Sequence, residues 1–315
     1  MSEGHHHDHG HSHGHHHGAG HGHLPTSHGP AFALAVTLNL LFVAVEVAAG
    51  LYGGSMALLA DAGHNFSDVL SLLLAWGASV LAARPPSERF TYGLKSSSIL
   101  AALANAALLW VALGAILIET IRRLNDPAPV EGGLMMAVAA AGIAVNGISA
   151  IFFAKGSKHD LNLRAAFQHL LADAAVSAGV VLAGAAVMFT GRQWIDPVTS
   201  LVITGVIAAG SWGLLRDSVK LGLLGVPDGI EVGAVRTFLA GLPGVTAVHD
   251  LHVWPMSTTE TALTAHIVMP GGHPGDAFLH EIAHELEHDF GIGHATMQVE
   301  IACSNGCALE ADEVV

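Results

Sequence analysis

Six long apolar segments constrain the fold of this chain more than any other feature of its sequence. A helix needs about 20 apolar residues to cross a bilayer, and segments near that length cover residues 31–52, 56–83, 96–118, 134–154, 165–190 and 198–215. Of the 315 residues, 51% are hydrophobic and only 12% are charged, whereas a soluble domain carries about 25% charged residues. We therefore predict an all-α membrane domain, a bundle of six transmembrane helices over residues 29–222.

Basic residues are distributed unevenly between the loops that join these segments. The loops after segments two and four and the stretch after segment six contain Arg84, Arg89, Lys95, Lys155, Lys158, Arg164, Arg216 and Lys220. The opposite loops contain only Arg122, Arg123 and Arg192. Because positively charged loops remain in the cytoplasm, both termini are predicted to be cytoplasmic. No Lys or Arg precedes the first segment, which argues against a cleaved signal peptide.

Two of the apolar segments each carry a His and an Asp four residues apart. These are His64 with Asp68 in the second segment and His169 with Asp173 in the fifth. Residues i and i+4 share one face of a helix, and ionisable side chains at membrane depth normally face a protein interior or an aqueous cavity. Either pair alone also fits a structural hydrogen bond or a proton relay. Together they offer two imidazoles and two carboxylates, which suit tetrahedral zinc, so we predict an intramembrane metal site.

Further polar residues lie within the same apolar segments. We expect them to form hydrogen bonds between helices rather than to bind metal. They are Asn39, Glu46, Asp61, Asn65 and Asn146. Asp61, three positions before His64, is also a candidate for the extracytoplasmic entrance.

The first 28 residues contain twelve histidines among Gly, Ser and Asp. They show no hydrophobic periodicity, and such composition is typical of a disordered segment. A purification tag is the alternative, although a tag is normally one uninterrupted run of histidines. Neutral imidazoles bind metal, so we interpret this arm as a flexible collector of cations.

The segment after residue 226 is predicted to be a cytosolic α+β domain that ends near residue 303, followed by a short tail over 304–315. Its pattern predicts helices over 231–240 and 276–290 and strands over 245–254, 261–269 and 295–302, with the helices on one face of the sheet. From residue 226 onward there are thirteen acidic residues and one basic residue, Arg236. This charge disfavours nucleic acid as a partner and attracts cations.

Two further metal sites are predicted in this domain. The first combines His249, His266, His280 and Glu300, and solvated surface histidines are its alternative. The second combines His294, Cys303 and Cys307. Because the cytosol is reducing, metal binding is a better use for these cysteines than a disulfide.

The same domain contains a match to a zinc metallopeptidase pattern. His280, Glu281 and His284 have the spacing in which two His bind zinc and Glu acts as a base. The helix that carries them is amphipathic and superficial, and the domain is too small for a substrate cleft. A peptidase is therefore the remote alternative, and we predict no catalytic residues and no enzyme.

Several local sequences together resemble the cation diffusion facilitator family, in the bacterial zinc branch related to the vertebrate zinc transporters. They are GSMALLADAGHNFSD ending at Asp68, FTYG ending at Gly93, HLLAD ending at Asp173, the dipeptide Asp196-Pro197, and HDLHVW ending at Trp254. The resemblance covers residues 31–303. It implies a homodimer of six-helix protomers in a bacterial inner membrane, with membrane lipid around the bundle and a ferredoxin-like or metallochaperone-like cytosolic domain.

The resemblance also implies an activity, namely the export of zinc in exchange for protons. In this family the membrane ligands match His64, Asp68, His169 and Asp173, and the ligands of the cytosolic domain match the first set named above. Some relatives have Asp at the position of His64, and the family associates His there with zinc over cadmium. Many relatives have a His-rich loop between helices four and five, where this chain has only His159; the amino-terminal arm is the candidate to replace it. A membrane metal sensor or buffer without transport remains the alternative, and cadmium and cobalt remain open as further cargo.

Overall fold

The computed structural model describes residues 30–154 and 161–301, and its first part is a bundle of helices. Within these residues the bundle consists of α1 (Pro30–Tyr52), α2 (Met56–Ala82), α3 (Ser97–Asn125), α4 (Gly132–Ala154), α5 (Leu161–Thr190) and α6 (Ile195–Gly222). Five of them, α2 to α6, are long and apolar enough to cross a membrane, and α1 contains a shorter apolar stretch over Val36–Tyr52. The predicted membrane bundle is confirmed.

The helices run alternately up and down. The loops 53–55, 126–131 and 191–194 therefore lie at one end of the bundle, and the end of α6 lies at the other, next to the domain that follows. We call this second end the domain end. Small buried residues such as Ala57, Ala60 and Ala139 allow the helices to pack closely around Leu58, Met135 and other apolar side chains.

The start of α2 is held by a carboxylate from α6. Asp196 Oδ1 accepts hydrogen bonds from Ser55 Oγ at 2.6 Å and from the Ala57 amide at 3.2 Å, and its Oδ2 accepts one from the Met56 amide at 2.7 Å. A negative group at a helix N-terminus satisfies amides that have no partner within the helix. Gly54 in the preceding turn has φ 67°, and a Cβ there would lie 2.6 Å from the Pro129 carbonyl oxygen. This turn therefore sets the position of α2, and with it the depth of His64.

The second part is a small α+β domain. Its elements are α7 (Val232–Ala240), β1 (Ala247–Pro255), β2 (Thr261–Val268), α8 (Asp276–Phe290) and β3 (His294–Glu300). The sheet order is β1-β2-β3, with β1 and β2 antiparallel and β2 and β3 parallel. The parallel pair requires a crossover, which α8 provides. Both helices pack on one face of the sheet, around Leu239, Leu263, Ile282 and Leu286, so the predicted α+β architecture is confirmed.

A β-bulge interrupts β1. His249 pairs with His266 and His252 pairs with Thr264, so two residues of β1, Asp250 and Leu251, oppose one residue of β2, Ala265. The extra residue, Asp250, has φ 48°, a left-handed conformation that Asp adopts more readily than most residues. Leu251 and Val253 thus join the core, while His249 lies on the opposite face of the sheet.

The domain contacts the loop between α2 and α3. Lys95 pairs with Glu260 in the turn between β1 and β2. Ser96 Oγ donates to the Met256 carbonyl at 3.1 Å, and Ser98 Oγ accepts from the Thr258 amide at 3.1 Å. These contacts join the β1–β2 turn to the loop that follows the helix carrying His64 and Asp68.

Candidate metal centre

Four side chains from α2 and α5 converge inside the bundle. His64 Nε2 lies 3.2 Å from Asp173 Oδ1 and 3.8 Å from Asp68 Oδ2. His169 Nε2 lies 3.4 Å from Asp68 Oδ2 and 3.5 Å from Asp173 Oδ2. Bonds of about 2.1 Å to a tetrahedral zinc ion place neighbouring ligand atoms about 3.4 Å apart. Three of the four predicted residues, His64, Asp68 and Asp173, each offer a ligand atom within 4.8 Å of those of the other two, and His169 lies within 3.5 Å of both carboxylates.

The four side chains differ in exposure according to their depth. Asp68 and His169, nearer the domain end of their helices, have side chains 35% and 49% exposed. His64 and Asp173, one turn further from that end, have side chains 20% and 7% exposed. The exposed fraction of the ligand side chains thus increases toward the domain end.

Hydrogen bonds between helices surround the cluster. Asn65 Nδ2 donates to Glu46 Oε2 at 2.9 Å and joins α2 to α1. Ser177 Oγ donates to Asp61 Oδ2 at 3.1 Å and joins α5 to α2. The interhelical bonds predicted for Glu46, Asp61 and Asn65 are confirmed, and they fix the helices whose residues form the cluster.

A second cluster lies on the outer face of the sheet. His266 Nδ1 is 3.0 Å from Glu300 Oε1, and His249 Nε2 is 3.4 Å from Glu300 Oε2. His249 is buried and the other two are half-buried, and one ligand atom from each lies within 4.8 Å of those of the other two. Asp250 also reaches this cluster, with Oδ2 3.4 Å from His266 Nε2. Sequence reasoning missed Asp250, because the bulge that redirects it leaves no clear pattern in the sequence.

The structure does not bring His280 to this cluster. His280 lies exposed on α8, on the side of the sheet that faces away from the cluster, and so do Glu281 and His284. Further along α8, a hydrogen bond of 2.7 Å to Asp289 raises the pKa of His288 above its ordinary value. Since only the neutral imidazole binds metal, this shift makes His288 a weaker ligand near neutral pH.

The remaining predicted ligands are only partly described. His294 is exposed at the start of β3, and its ring contacts that of Tyr92 at 5.5 Å between centroids. Cys303 and Cys307 lie outside the described residues, as do the His-rich arm over 1–28, His159 and the tail over 304–315.

Membrane-length helices that enclose two imidazoles and two carboxylates, followed by a domain with a cluster of the same residue types, define a membrane protein that handles metal cations. Comparison with known proteins agrees. Residues 32–221 match the family model described as the cation efflux transmembrane domain, and residues 227–302 match the cation efflux protein cytoplasmic domain. The chain belongs to the cation diffusion facilitator family.

Several curated relatives cover nearly the whole chain. The zinc transporter ZitB of Escherichia coli is 38% identical, over 90% of this chain and 91% of its own length. The metal cation efflux system protein CzcD of Cupriavidus metallidurans is 33% identical, over 96% of this chain and 91% of its own. A protein of Bacillus subtilis named a cadmium, cobalt and zinc/H(+)-K(+) antiporter is 33% identical, over 84% and 86%. The relatives are named as transporters, which confirms that the chain is a cation efflux transporter and not an enzyme.

Proposed function

We propose that this protein exports zinc from the cytoplasm in exchange for protons, through a site made of His64, Asp68, His169 and Asp173. The observation that carries the proposal is the convergence of four nitrogen and oxygen ligands from α2 and α5 at distances of 3.2 to 3.8 Å. Two carboxylates also balance the charge of a divalent cation, which makes its entry into a low-dielectric interior less costly.

Exchange follows from the chemistry of the ligands. Zinc binds neutral imidazole and ionised carboxylate, so the four residues must lose protons before they hold the metal. Protons and zinc compete for the same lone pairs. A higher proton concentration outside therefore displaces zinc when the site faces outward, and the protonated site returns to bind zinc again.

In this proposal the domain end of the bundle faces the cytoplasm, and the described conformation loads cargo from that side. Asp68 and His169, on the cytoplasmic side of the site, are its more exposed members, whereas Asp173 is 7% exposed. Alternating access then requires the bundle to close on this side and open on the other, as transporters do by rocking their helices around a fixed site. We propose that both termini lie in the cytoplasm.

The rival function is a metal sensor or buffer, in which the membrane residues only register metal. The two functions differ in a direct test with inverted membrane vesicles. A transporter accumulates zinc inside such vesicles when their interior is acidified, and the accumulation stops when the pH gradient is dissipated. A sensor shows no uptake that depends on the gradient.

Zinc is the proposed first cargo, because His64 supplies a second imidazole to a small tetrahedral site. We expect His64→Asp to increase cadmium transport relative to zinc transport by about tenfold or more, since carboxylates can bind in bidentate fashion and suit larger ions with more ligands. The measurement is flux into vesicles with zinc, cadmium and cobalt in turn. An unchanged cadmium-to-zinc ratio would contradict the role given to His64.

The cluster of His249, His266 and Glu300 is proposed as a regulatory zinc site in a homodimer, with metal binding favouring closure of the two cytoplasmic domains. His249→Ala is expected to raise the zinc concentration for half-maximal flux by about tenfold or more, because loss of even a residue that only supports a ligand weakens metal sites by about 10- to 100-fold. The maximal rate should change much less.

The matched control for His249 is His284→Ala, which removes an exposed imidazole from α8 in the same domain. It should leave the zinc dependence of flux unchanged. Identical zinc dependence in the wild type and His249→Ala would refute regulation by this cluster without affecting the membrane site.

A further inference from the structure

Besides Asp196, which caps α2, two carboxylates outside the four metal ligands are completely buried in the described part of the bundle. Glu46 on α1 and Asp61 on α2 are both 0% exposed. Each uses one oxygen to accept a hydrogen bond, from Asn65 and Ser177 respectively. The other oxygens, Glu46 Oε1 and Asp61 Oδ1, are buried with no hydrogen-bond partner within residues 30–154 and 161–301.

Among the described residues, neither carboxylate has a Lys or Arg partner, and the basic group nearest to them is His64. Glu46 interacts electrostatically with Asp61 and His64, and Asp61 interacts with His64, Asp68 and Asp173. The other helix packed against α1 is α4, which carries no Asp, Glu, His, Lys or Arg between 132 and 154. Among the described residues, the pair is therefore surrounded by apolar and acidic groups, the neutral side chains of Asn65 and Ser177, and one imidazole, which itself belongs to the metal site.

An ionised carboxylate in such a place is costly. Burial without a cationic partner opposes the charge, and a second carboxylate nearby opposes it further. An ionised carboxylate can only accept hydrogen bonds, whereas a protonated one also donates. A proton on Glu46 therefore removes one buried charge and converts one unsatisfied acceptor into a donor.

The metal site lies close enough to change whether these carboxylates are protonated. Asp61 precedes His64 by three residues, which is about 4.5 Å along the axis of α2. A zinc ion held by His64 brings two positive charges into this low-dielectric region, and these charges stabilise ionised carboxylates nearby. Filling the metal site thus favours loss of the proton, and emptying it favours its return.

We propose that Glu46 is a second proton carrier of this transporter, one that does not bind the metal, with Asp61 as the neighbouring charge that keeps Glu46 protonated while the metal site is empty. When zinc binds, the O–H bond of the Glu46 carboxyl breaks and the proton passes to water; when zinc leaves, a proton from water restores the bond. The inference rests on the proposed function and adds a proton to its exchange ratio.

The test measures that ratio in proteoliposomes that contain the full chain. With the membrane potential held at zero and a pH difference of one unit, the zinc ratio across the membrane is recorded at which net zinc flux is zero. Each coupled proton multiplies this ratio by about ten. Glu46→Gln keeps the shape of the protonated acid and an oxygen for Asn65 but cannot release a proton, so we expect its zinc ratio to be about tenfold lower.

Glu119→Gln is the matched control, because Glu119 lies on α3 and pairs with Arg122 and Arg123 away from the metal ligands. It should keep the wild-type zinc ratio. An equal ratio in the wild type and Glu46→Gln would overturn the proton carrier while leaving zinc–proton exchange intact. Absence of gradient-driven zinc flux in the wild type would instead refute the proposed function, and this inference with it.

A second measurement covers the case in which Glu46→Gln does not assemble. Infrared difference spectra of the wild type, recorded on addition of zinc, should show loss of absorption from a protonated carboxyl group. A difference spectrum without that loss would overturn the proposal, whatever the behaviour of the variant.

Discussion

Replacing Asp173 with alanine is expected to abolish zinc export while leaving the metal cluster of the cytoplasmic domain intact. Asp173 is the most buried of the four membrane ligands, and its two oxygens lie 3.2 and 3.5 Å from the two imidazoles. Loss of a residue that merely supports a ligand weakens a metal site by about 10- to 100-fold. Loss of a ligand that also supplies half of the negative charge should therefore reduce flux by more than about 100-fold.

Zinc uptake into proteoliposomes with an imposed pH gradient measures this loss, and zinc bound by the purified protein shows whether the cytoplasmic cluster is still occupied. Asp217→Ala is a suitable control, because Asp217 lies on α6 and pairs with Arg216 at 2.9 Å on the surface. It should transport as the wild type does. Gradient-driven flux that persists in Asp173→Ala would contradict the assignment of the membrane site.

Replacing Asp196 with alanine is expected to have the largest effect on folding. The substitution removes the acceptor of Ser55 Oγ and of two amides at the start of α2, in a place where all these groups are buried. Each buried donor left without a partner costs about 1–3 kcal/mol, so the stability should fall by at least about 3 kcal/mol. Because α2 carries two metal ligands, transport should fall as well.

Thermal unfolding in detergent measures the effect of Asp196→Ala. Asp196→Asn keeps an oxygen acceptor without the charge, and it should lie between the alanine variant and the wild type. Asp126→Ala, at the exposed end of α3, should unfold as the wild type does. If Asp196→Ala has wild-type stability, the carboxylate does not anchor α2.

The membrane site could be predicted from the sequence because the bilayer leaves few choices. A segment of sufficient apolar length must be helical, and helical spacing then puts His64 with Asp68 and His169 with Asp173 on single faces. The sequence does not say that α2 and α5 are neighbours. We inferred that α2 and α5 are neighbours because both carry the same pair of ionisable residues. Such residues are costly in a membrane unless they serve a function, and one shared metal site accounts for both pairs.

The cytoplasmic site was harder to predict from the sequence, because successive side chains of a strand point to opposite faces of the sheet. One bulge residue shifts the register and exchanges the faces of everything beyond it. Asp250 is that residue, and it joins the cluster unpredicted. The grouping of His280 with His249 rests on residue type and on the family resemblance, but His280 lies on α8, beyond the core and on the other side of the sheet.

The hydrogen bonds by which Asp196 anchors α2 could not be predicted from the sequence either. The dipeptide Asp196-Pro197 is recognisable as the start of a helix, but the amides that it satisfies are about 140 positions away. The sequence also predicts that Glu46 and Asp61 accept hydrogen bonds from other helices, and both do. Only the packed structure shows that each keeps one oxygen without a hydrogen-bond partner among the described residues.

The contact between the β1–β2 turn and the α2–α3 loop has a thermodynamic consequence. Lys95 and Ser96 hold the cytoplasmic domain next to the loop that follows α2. The strand β2 begins directly after Glu260 and carries His266, so this contact connects the two metal clusters. Any communication along this route is reciprocal, because two sites linked by one equilibrium change each other's affinity by the same factor. A cell rich in cytoplasmic metal would then raise the efflux capacity of molecules already in its membrane, without waiting for new synthesis.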